Sequence, residues 1–420
     1  MRSFNEITIL PGKKTAVLGT ANTWYDVYKA LEAQNLTAVG ARSGGVGVGG
    51  YILAGRISSL SNLHGCACAN VQTYQVVGAY GGILDTVAKY PDVFSALCCG
   101  GNIFGVVTTF TVNLYPQGPL WHSIRKFGMD KKHALLKAYV NIGRNMDKDP
   151  SSSSSFTSFA VTGEYERITV GLENVDGLSY PPIFGDMKAI PALFETSNVQ
   201  YMSEITKKSA AQAPSGSRYT KWTYTFKLDA TLAEFAVDTF LKAVRPLKHI
   251  LGIKASCTFE TISKPMLKHM DKNAFGLSAE NGPYSLLLLS ATWTNKADDV
   301  TFYNVFSSII EMIRAEAKKS HLHVGYLYMN YASQFQDVFS SYGPENIELL
   351  RATSQHYDPK HHLERLQPGY FKINGSAPAK LVRIVASWCP SQISMSRVVT
   401  IFCELLSLVI FNVKQISSLS

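Results

Sequence analysis

The chain has 420 residues, 46% hydrophobic and 17% charged, with 21 Phe, 21 Tyr and 31 Gly; this composition excludes a disordered polymer and suffices for two domains, each with its own core. The formal net charge is +9, but lysines and arginines are scattered, which argues against a nucleic-acid-binding stripe and leaves small anionic ligands open. Seven cysteines, an odd number, exclude a complete disulfide framework; Cys66-x-Cys68 and the adjacent Cys98 and Cys99 lack C-x-x-C spacing and read mainly as small buried hydrophobes.

The opening MRSFNEITIL alternates polar and apolar residues and predicts a strand, without the continuous apolar stretch of a secretory signal. Asn22-Thr23 caps a helix in TWYDVYKALEAQ, where Trp24, Val27, Tyr28 and Leu31 fall on one face. The glycine run SGGVGVGGYILAGRISSLSNLHG spans Ser43 to Gly65. No Lys-Ser or Lys-Thr follows it, and its spacing is not the G-x-G-x-x-G that closes a strand and opens a helix. It reads as strand, where glycines let the backbone lie against a flat ligand or against another strand. VQTYQVVGAYGGILDT predicts two strands around a Tyr80-Gly81-Gly82 turn, and PDVFSALCCGGNIFGVVTTFTVNLYP a short helix, a break and a strand.

Residues 119–325 differ in texture. SFTSFAVTGEYERITVGLENV, KWTYTFKLD, GIKASCTFETIS and YSLLLLSATWT predict long strands, with amphipathic helices near Leu232–Val244 and Asp298–Lys319: a twisted antiparallel sheet covered by helices. PSSSSS at 150–155 reads as a surface loop. His321 and His323 share a strand face by alternation, but without carboxylate spacing these and His361 and His362 read as surface histidines rather than metal ligands. From Tyr326 a Tyr-rich strand, a loop and a helix near Asn346–Gln355 follow. VVTIFCELLSLVIFNV, 398–413, falls short of the ~20 apolar residues of a spanning helix and contains Glu404. A packed terminal helix or read-through into non-coding sequence is expected there rather than a membrane anchor.

VGVGGYILAGRISSLSNLHGCACANVQTYQVV, followed by VFSALCCGGNIFGVVTTF, resembles the flavin-binding (PCMH-type) domain of the vanillyl-alcohol oxidase superfamily. More narrowly it is similar to the fungal berberine-bridge-enzyme-like branch of FAD-linked oxidoreductases, with its VGVGG-x-x-LGGG-x-S, G-x-ACDNV, LADG and LFWAL-GGG-NFGIVT motifs. YLYMNYA and SYG…YDP…PGYFKI resemble that branch's closing YLNYAD and GYG…YDP…PGGFK. The resemblance implies an α+β chain. Residues 1–118 would be a partial FAD-binding domain retaining its C-terminal lobe, and 119–325 an antiparallel-sheet substrate domain. Residues 326–375 would return to the FAD domain, and 376–420 are an atypical apolar tail.

The implied activity is oxidation of an alcohol, sugar, amine or activated C–H by hydride transfer to flavin N5, with oxygen as acceptor. The implied partners are a small-molecule substrate and oxygen, for a monomer without nucleic acid or membrane insertion. Carried over, Gly49, Gly50 and Gly55 would lie along the isoalloxazine or ribityl chain, and Gly101, Asn102, Phe104, Gly105 and Val107 would form a second wall. Tyr51 matches a position near flavin N1–C2, where its hydroxyl could stabilise developing negative charge; an aromatic core residue is the alternative. Asn330 matches a cofactor-contacting asparagine. Tyr331 matches a general-base tyrosine, whose phenol needs a nearby cation to act at neutral pH, and ordinary packing is the alternative.

The match begins after the R-x-GGH loop of the family, which often supplies a histidine for covalent flavinylation, and Ser43 stands where bicovalent relatives have cysteine. FAD would therefore be held non-covalently. Ala54 and Arg56 replace glycines of LGGG, Ala69 the aspartate of ACDNV and Ser95 the tryptophan of LFWAL. Side chains at such positions are expected to cost about 1–3 kcal/mol each in strain. A truncated, non-catalytic scaffold that keeps the fold without FAD is the second reading.

Overall fold

A computed structural model describes residues 3–85, 90–211, 216–270, 275–366 and 371–375. The tail at 376–420 and the Pro-Gly-Tyr of PGYFKI lie outside the described residues.

The first third of the chain builds a five-stranded antiparallel sheet in the order Ile7–Ile9, Thr15–Gly19, Val106–Asn113, Val71–Val77, Ile83–Asp85. The helix Trp24–Glu32 begins where predicted: the Thr23 side chain accepts from Asp26 N–H while the Asp26 carboxylate accepts from Thr23 N–H, a reciprocal cap. Its buried face is Trp24, Val27, Tyr28 and Leu31.

The second sheet has seven antiparallel strands in the order Phe194–Gln200, Leu120–Phe127, Tyr165–Asn174, Ser152–Thr162, Lys254–Ile262, Tyr284–Trp293, Arg218–Lys227. Helices Lys132–Asn145, Ala230–Val244 and Asp299–Lys319 pack on it and on one another. Asp229 caps the second of these by accepting from Leu232 N–H at 2.8 Å. Trp293 stacks on Phe302 at 4.3 Å, and Phe240 meets Phe306 edge-on, so sheet and helices share one aromatic core.

The last described third crosses back to the first. Tyr328 Oη accepts from Ile57 N–H at 3.0 Å, Asn330 Nδ2 donates to the Ala54 carbonyl at 3.0 Å, and Tyr342 Oη donates to the Cys99 carbonyl at 3.0 Å. These polar groups, two of the three bonds fully buried, meet partners 243 to 276 residues away.

Several expectations are corrected. The glycine run is not a strand: Val48–Leu53 is a helix, with Tyr51 packed edge-on against Trp24 at 5.1 Å. The serine run is not a loop, because Ser152–Ser155 open the long Ser152–Thr162 strand and pair with Tyr165–Asn174. The Tyr-rich segment forms no strand; Met329–Tyr331 is a single 3₁₀ turn. Nor do His321 and His323 share a strand face: His321 has a left-handed backbone (φ 58°) after the long helix, and His323 reaches Tyr224 Oη at 2.5 Å. The Lys132–Asn145 helix and the Leu120–Phe127 and Phe194–Gln200 strands were not anticipated. Cys68 and Cys98 are joined as a disulfide, whereas Cys66, Cys99 and Cys257 are free and buried. The expected strain at the substituted glycines is not seen either: between residues 53 and 57 the only left-handed backbone is at Gly55 (φ 65°).

Candidate functional site

A cavity of about 650 Å³ lies between the Ala41–Ile57 stretch and one face of the seven-stranded sheet. Strand alternation decides which side chains face it. In Lys254–Ile262 the even residues Lys254, Ser256, Thr258 and Glu260 share one face, and Thr258 and Glu260 line the cavity. The odd residues Cys257 and Phe259 enter the core beneath the helices.

Glu260 is the centre of the inner wall. It is only 5% exposed, and a buried carboxylate must be compensated. Arg42 pairs with Glu260 Oε2 and also donates to the Ser155 carbonyl, while Tyr331 Oη donates to Glu260 Oε1 at 2.7 Å. Burial opposes the charge on Arg42, yet Glu260 holds its guanidinium above the ordinary range. Burial, and next the Glu260 carboxylate, push the Tyr331 phenol well above its usual range, although Arg42 and Arg56 pull it down. The cations needed to ionise Tyr331 are thus present, but burial and the carboxylate outweigh them. Tyr331 is a proton-carrying phenol hydrogen-bonded to a carboxylate, not a phenolate.

Arg56, which replaces a family glycine, points into this space. Its guanidinium carbon stands 5.5 Å from the Tyr51 ring centre and 5.6 Å from that of Tyr331, and its buried Nε has no hydrogen-bond partner among the described residues. Lys221 Nζ lies 5.7 Å from the Tyr331 ring, and burial, then Arg56, push its ammonium below the ordinary range.

Of the residues expected from sequence, Tyr51 and Tyr331 line the cavity. Tyr51 Oη donates to the Ile57 carbonyl at 3.0 Å, and burial raises its phenol pKa. Gly49 faces inward, where a Cβ would overlap Thr20 Oγ1; Gly50 is exposed, with open space where a Cβ would stand. Gly55 lies against Cys99 and Phe275. Gly101 (φ 76°) donates its N–H to the Leu53 carbonyl at 3.1 Å, which joins the second glycine segment to the Val48–Leu53 helix. Asn102 is exposed in the following turn, and Phe104 and Val107 are buried core. Gly105 packs against Val76, which a Cβ would overlap. Asn330 is tied to Ala54 as described above.

Sequence reasoning missed Arg42 and Glu260. The signal for Glu260 was present, since K-S-T-E alternates with A-C-F-T along GIKASCTFETIS and places a carboxylate on a polar strand face. Arg42 carries no local signal.

The family model described as "FAD binding domain" matches residues 1–86. The FAD-dependent monooxygenase FUP4 of Fusarium proliferatum is 32% identical over 392 residues, covering 89% of this chain and 75% of the relative. The FAD-dependent monooxygenase tpcD of Cochliobolus heterostrophus is 31% identical over 397 residues, with the same coverage. Among solved structures, the berberine bridge enzyme of Eschscholzia californica superposes with a TM-score of 0.69 at 16% identity, over 90% of this chain and 80% of that one. 6-Hydroxy-D-nicotine oxidase of Arthrobacter nicotinovorans gives 0.72 at 18% identity, over 87% and 80%. These structural likenesses establish the fold, and the level of sequence identity to the curated relatives establishes the kinship. The chain belongs to the FAD-dependent monooxygenases, FAD-linked oxidoreductases with the berberine-bridge-enzyme-like fold.

Proposed function

We propose that this chain oxidises a small organic substrate inside the cavity, with FAD as the two-electron acceptor and oxygen as the final one. The observation that carries the reading is the Tyr331–Glu260–Arg42 chain on the cavity wall, with Glu260 buried at its centre. FAD is the cofactor of the family, and the residues present fit its ring. Gly47 and Gly50 offer exposed backbone with no atoms where a Cβ would stand, so a flat group can approach closely. The Arg56 guanidinium, with Nε unsatisfied, is a donor for a carbonyl edge that becomes electron-rich on reduction. Arg56 and the Gly47–Tyr51 backbone would hold the ring.

When bound, FAD supplies a hydride acceptor at N5 of its ring. The protein's part is the proton. A substrate hydroxyl at the cavity wall loses its proton to Tyr331 Oη as Tyr331 passes its own along the 2.7 Å bond to Glu260 Oε1. Relay avoids a free phenolate, which the raised Tyr331 pKa disfavours. Arg42 keeps the accepting carboxylate oriented through its pairing with Oε2 and its anchor on Ser155. Burial of Glu260 keeps bulk water from the accepting carboxylate.

The test is to mix the purified chain with FAD, pass it through gel filtration, and record the visible spectrum of the protein peak. Co-eluting flavin absorbance is the expected result. A colourless peak at saturating FAD would overturn the oxidoreductase reading and leave the fold as a scaffold.

A further inference from the structure

We propose that the substrate of this cavity is an organic acid, held by its anionic group at Arg167 and Lys126 while its oxidisable end lies at Tyr331 and Glu260; this rests on the oxidoreductase reading above. The cavity face of the sheet carries its charges unevenly. Strand register places Lys126 opposite Thr169, Thr169 opposite Ser158, and Ser158 opposite Thr258, so these four form one row across the face. Arg167 lies two residues from Thr169 on the same face, diagonal to Lys126. Glu260 lies two residues from Thr258, at the other end.

At that inner end the carboxylate is compensated by Arg42 and Tyr331. At the outer end nothing compensates the cations. Arg167 and Lys126 make no ion pair among the described residues, and Lys126 Nζ instead rests 4.8 Å from the Phe194 ring centre. The other carboxylate lining the cavity, Glu173, is six residues along the strand from Arg167, opposite His122. A second, smaller hollow shares Arg167 with this cavity and adds Lys254, again without a carboxylate in its lining. The rows between the two ends are Ser and Thr hydroxyls, flanked by Phe156 and Phe194. An apolar-flanked slot with uncompensated cations at one end and a proton acceptor at the other selects a flat molecule that carries its negative charge away from the reacting carbon. From strand spacing and rise the ends are roughly 15 Å apart between backbones, which leaves roughly 10 Å for a ligand once side chains reach inward. That suits a fused-ring aromatic carboxylate better than a simple sugar or short amine.

The experiment is isothermal titration of the chain with 2-naphthoate and with its neutral methyl ester, at low and high salt, with and without added FAD. The acid is expected to bind about tenfold or more tightly than the ester, with a preference that shrinks in salt. Arg167→Gln and Lys126→Gln should each cut the preference about three- to tenfold while leaving the affinity for the ester unchanged. Both residues are on the open sheet face, and an unchanged melting temperature verifies each variant's fold. Equal affinity for acid and ester, absence of binding by either, or variants that weaken both probes alike would overturn the proposal. Because binding is read by heat in both the presence and absence of FAD, loss of the acid preference is distinguishable from failure to bind the cofactor.

Discussion

Replacing Arg42 by methionine tests whether the Glu260 centre is built as described. The substitution removes the guanidinium paired with a carboxylate whose side chain is 7% exposed, together with its donor to Ser155. Breaking a buried ion pair from one side costs about 3–5 kcal/mol, because the other charge stays buried without its counter-ion. The Arg42 side chain is 21% exposed, so water reaches part of the site and the expected loss is about 2–4 kcal/mol. Glu260→Gln should cost less, about 1–2 kcal/mol, since the abandoned guanidinium has solvent access that the carboxylate lacks. The double variant should be more stable than the sum of the singles implies, by a coupling of about 1–3 kcal/mol. Urea unfolding followed by tryptophan fluorescence supplies all four corners of the cycle. Simple additivity, or Arg42→Met costing less than Glu260→Gln, would refute the reasoning.

The proton relay predicts that Tyr331→Phe slows cofactor reduction by a turned-over substrate about 10²–10⁴-fold with little change in substrate affinity, measured by stopped-flow; an unchanged rate would remove Tyr331 from the chemistry. Gly55→Ala, at φ 65° and against Cys99, should destabilise by about 1–3 kcal/mol in urea. Gly50→Ala, in a helix with open space, should stabilise by about 0.5–1 kcal/mol yet weaken FAD binding if that face meets the ring. His64, stacked on Tyr115 at 3.6 Å, has its pKa lowered from 6.5 to about 4 by burial and then His269. The unfolded chain therefore binds the proton first, and the neutral ring's contribution is intact above pH 6.5 and lost as pH falls towards 4. His64→Gln should flatten the fall of the urea midpoint across that window.

Long elements with clear periodicity were legible. The helix at Trp24, the Ala230–Val244 and Asp299–Lys319 helices and five of the seven large-sheet strands follow from apolar spacing and caps. Composition misled where tertiary pairing dominates. A serine run has low strand propensity, but Ser152 and Ser154 are buried between neighbouring strands, and pairing there outweighs propensity. VGGYIL reads as strand from its β-branched and aromatic residues, whereas contact of Tyr51 with Trp24 favours a helical turn. The Lys132–Asn145 helix went unread, although Leu135, Leu136, Tyr139 and Val140 in KHALLKAYVNIGRN carry a helical spacing that could have found it. The Cys68–Cys98 bond links residues 30 apart and has no sequence signature. In the site, family motifs led to Tyr51 and Tyr331, but the Arg42–Glu260 pair joins positions 218 residues apart and only the fold brings it together.

The tyrosine and asparagine bonds that tie the last described third to Ala54, Ile57 and Cys99 have a consequence for biosynthesis. As the chain leaves the ribosome, the glycine-rich segment waits for roughly 270 residues before its partners Tyr328 and Asn330 emerge. Until then, the carbonyl of Ala54 and the N–H of Ile57 lack their native partners, beside apolar surface meant for burial. Such high contact order makes closure slow and the waiting intermediate prone to association. The inner wall of the cavity is therefore a late product of folding, and chain shortened before Tyr328 should be a substrate for chaperones rather than a small flavin-binding module.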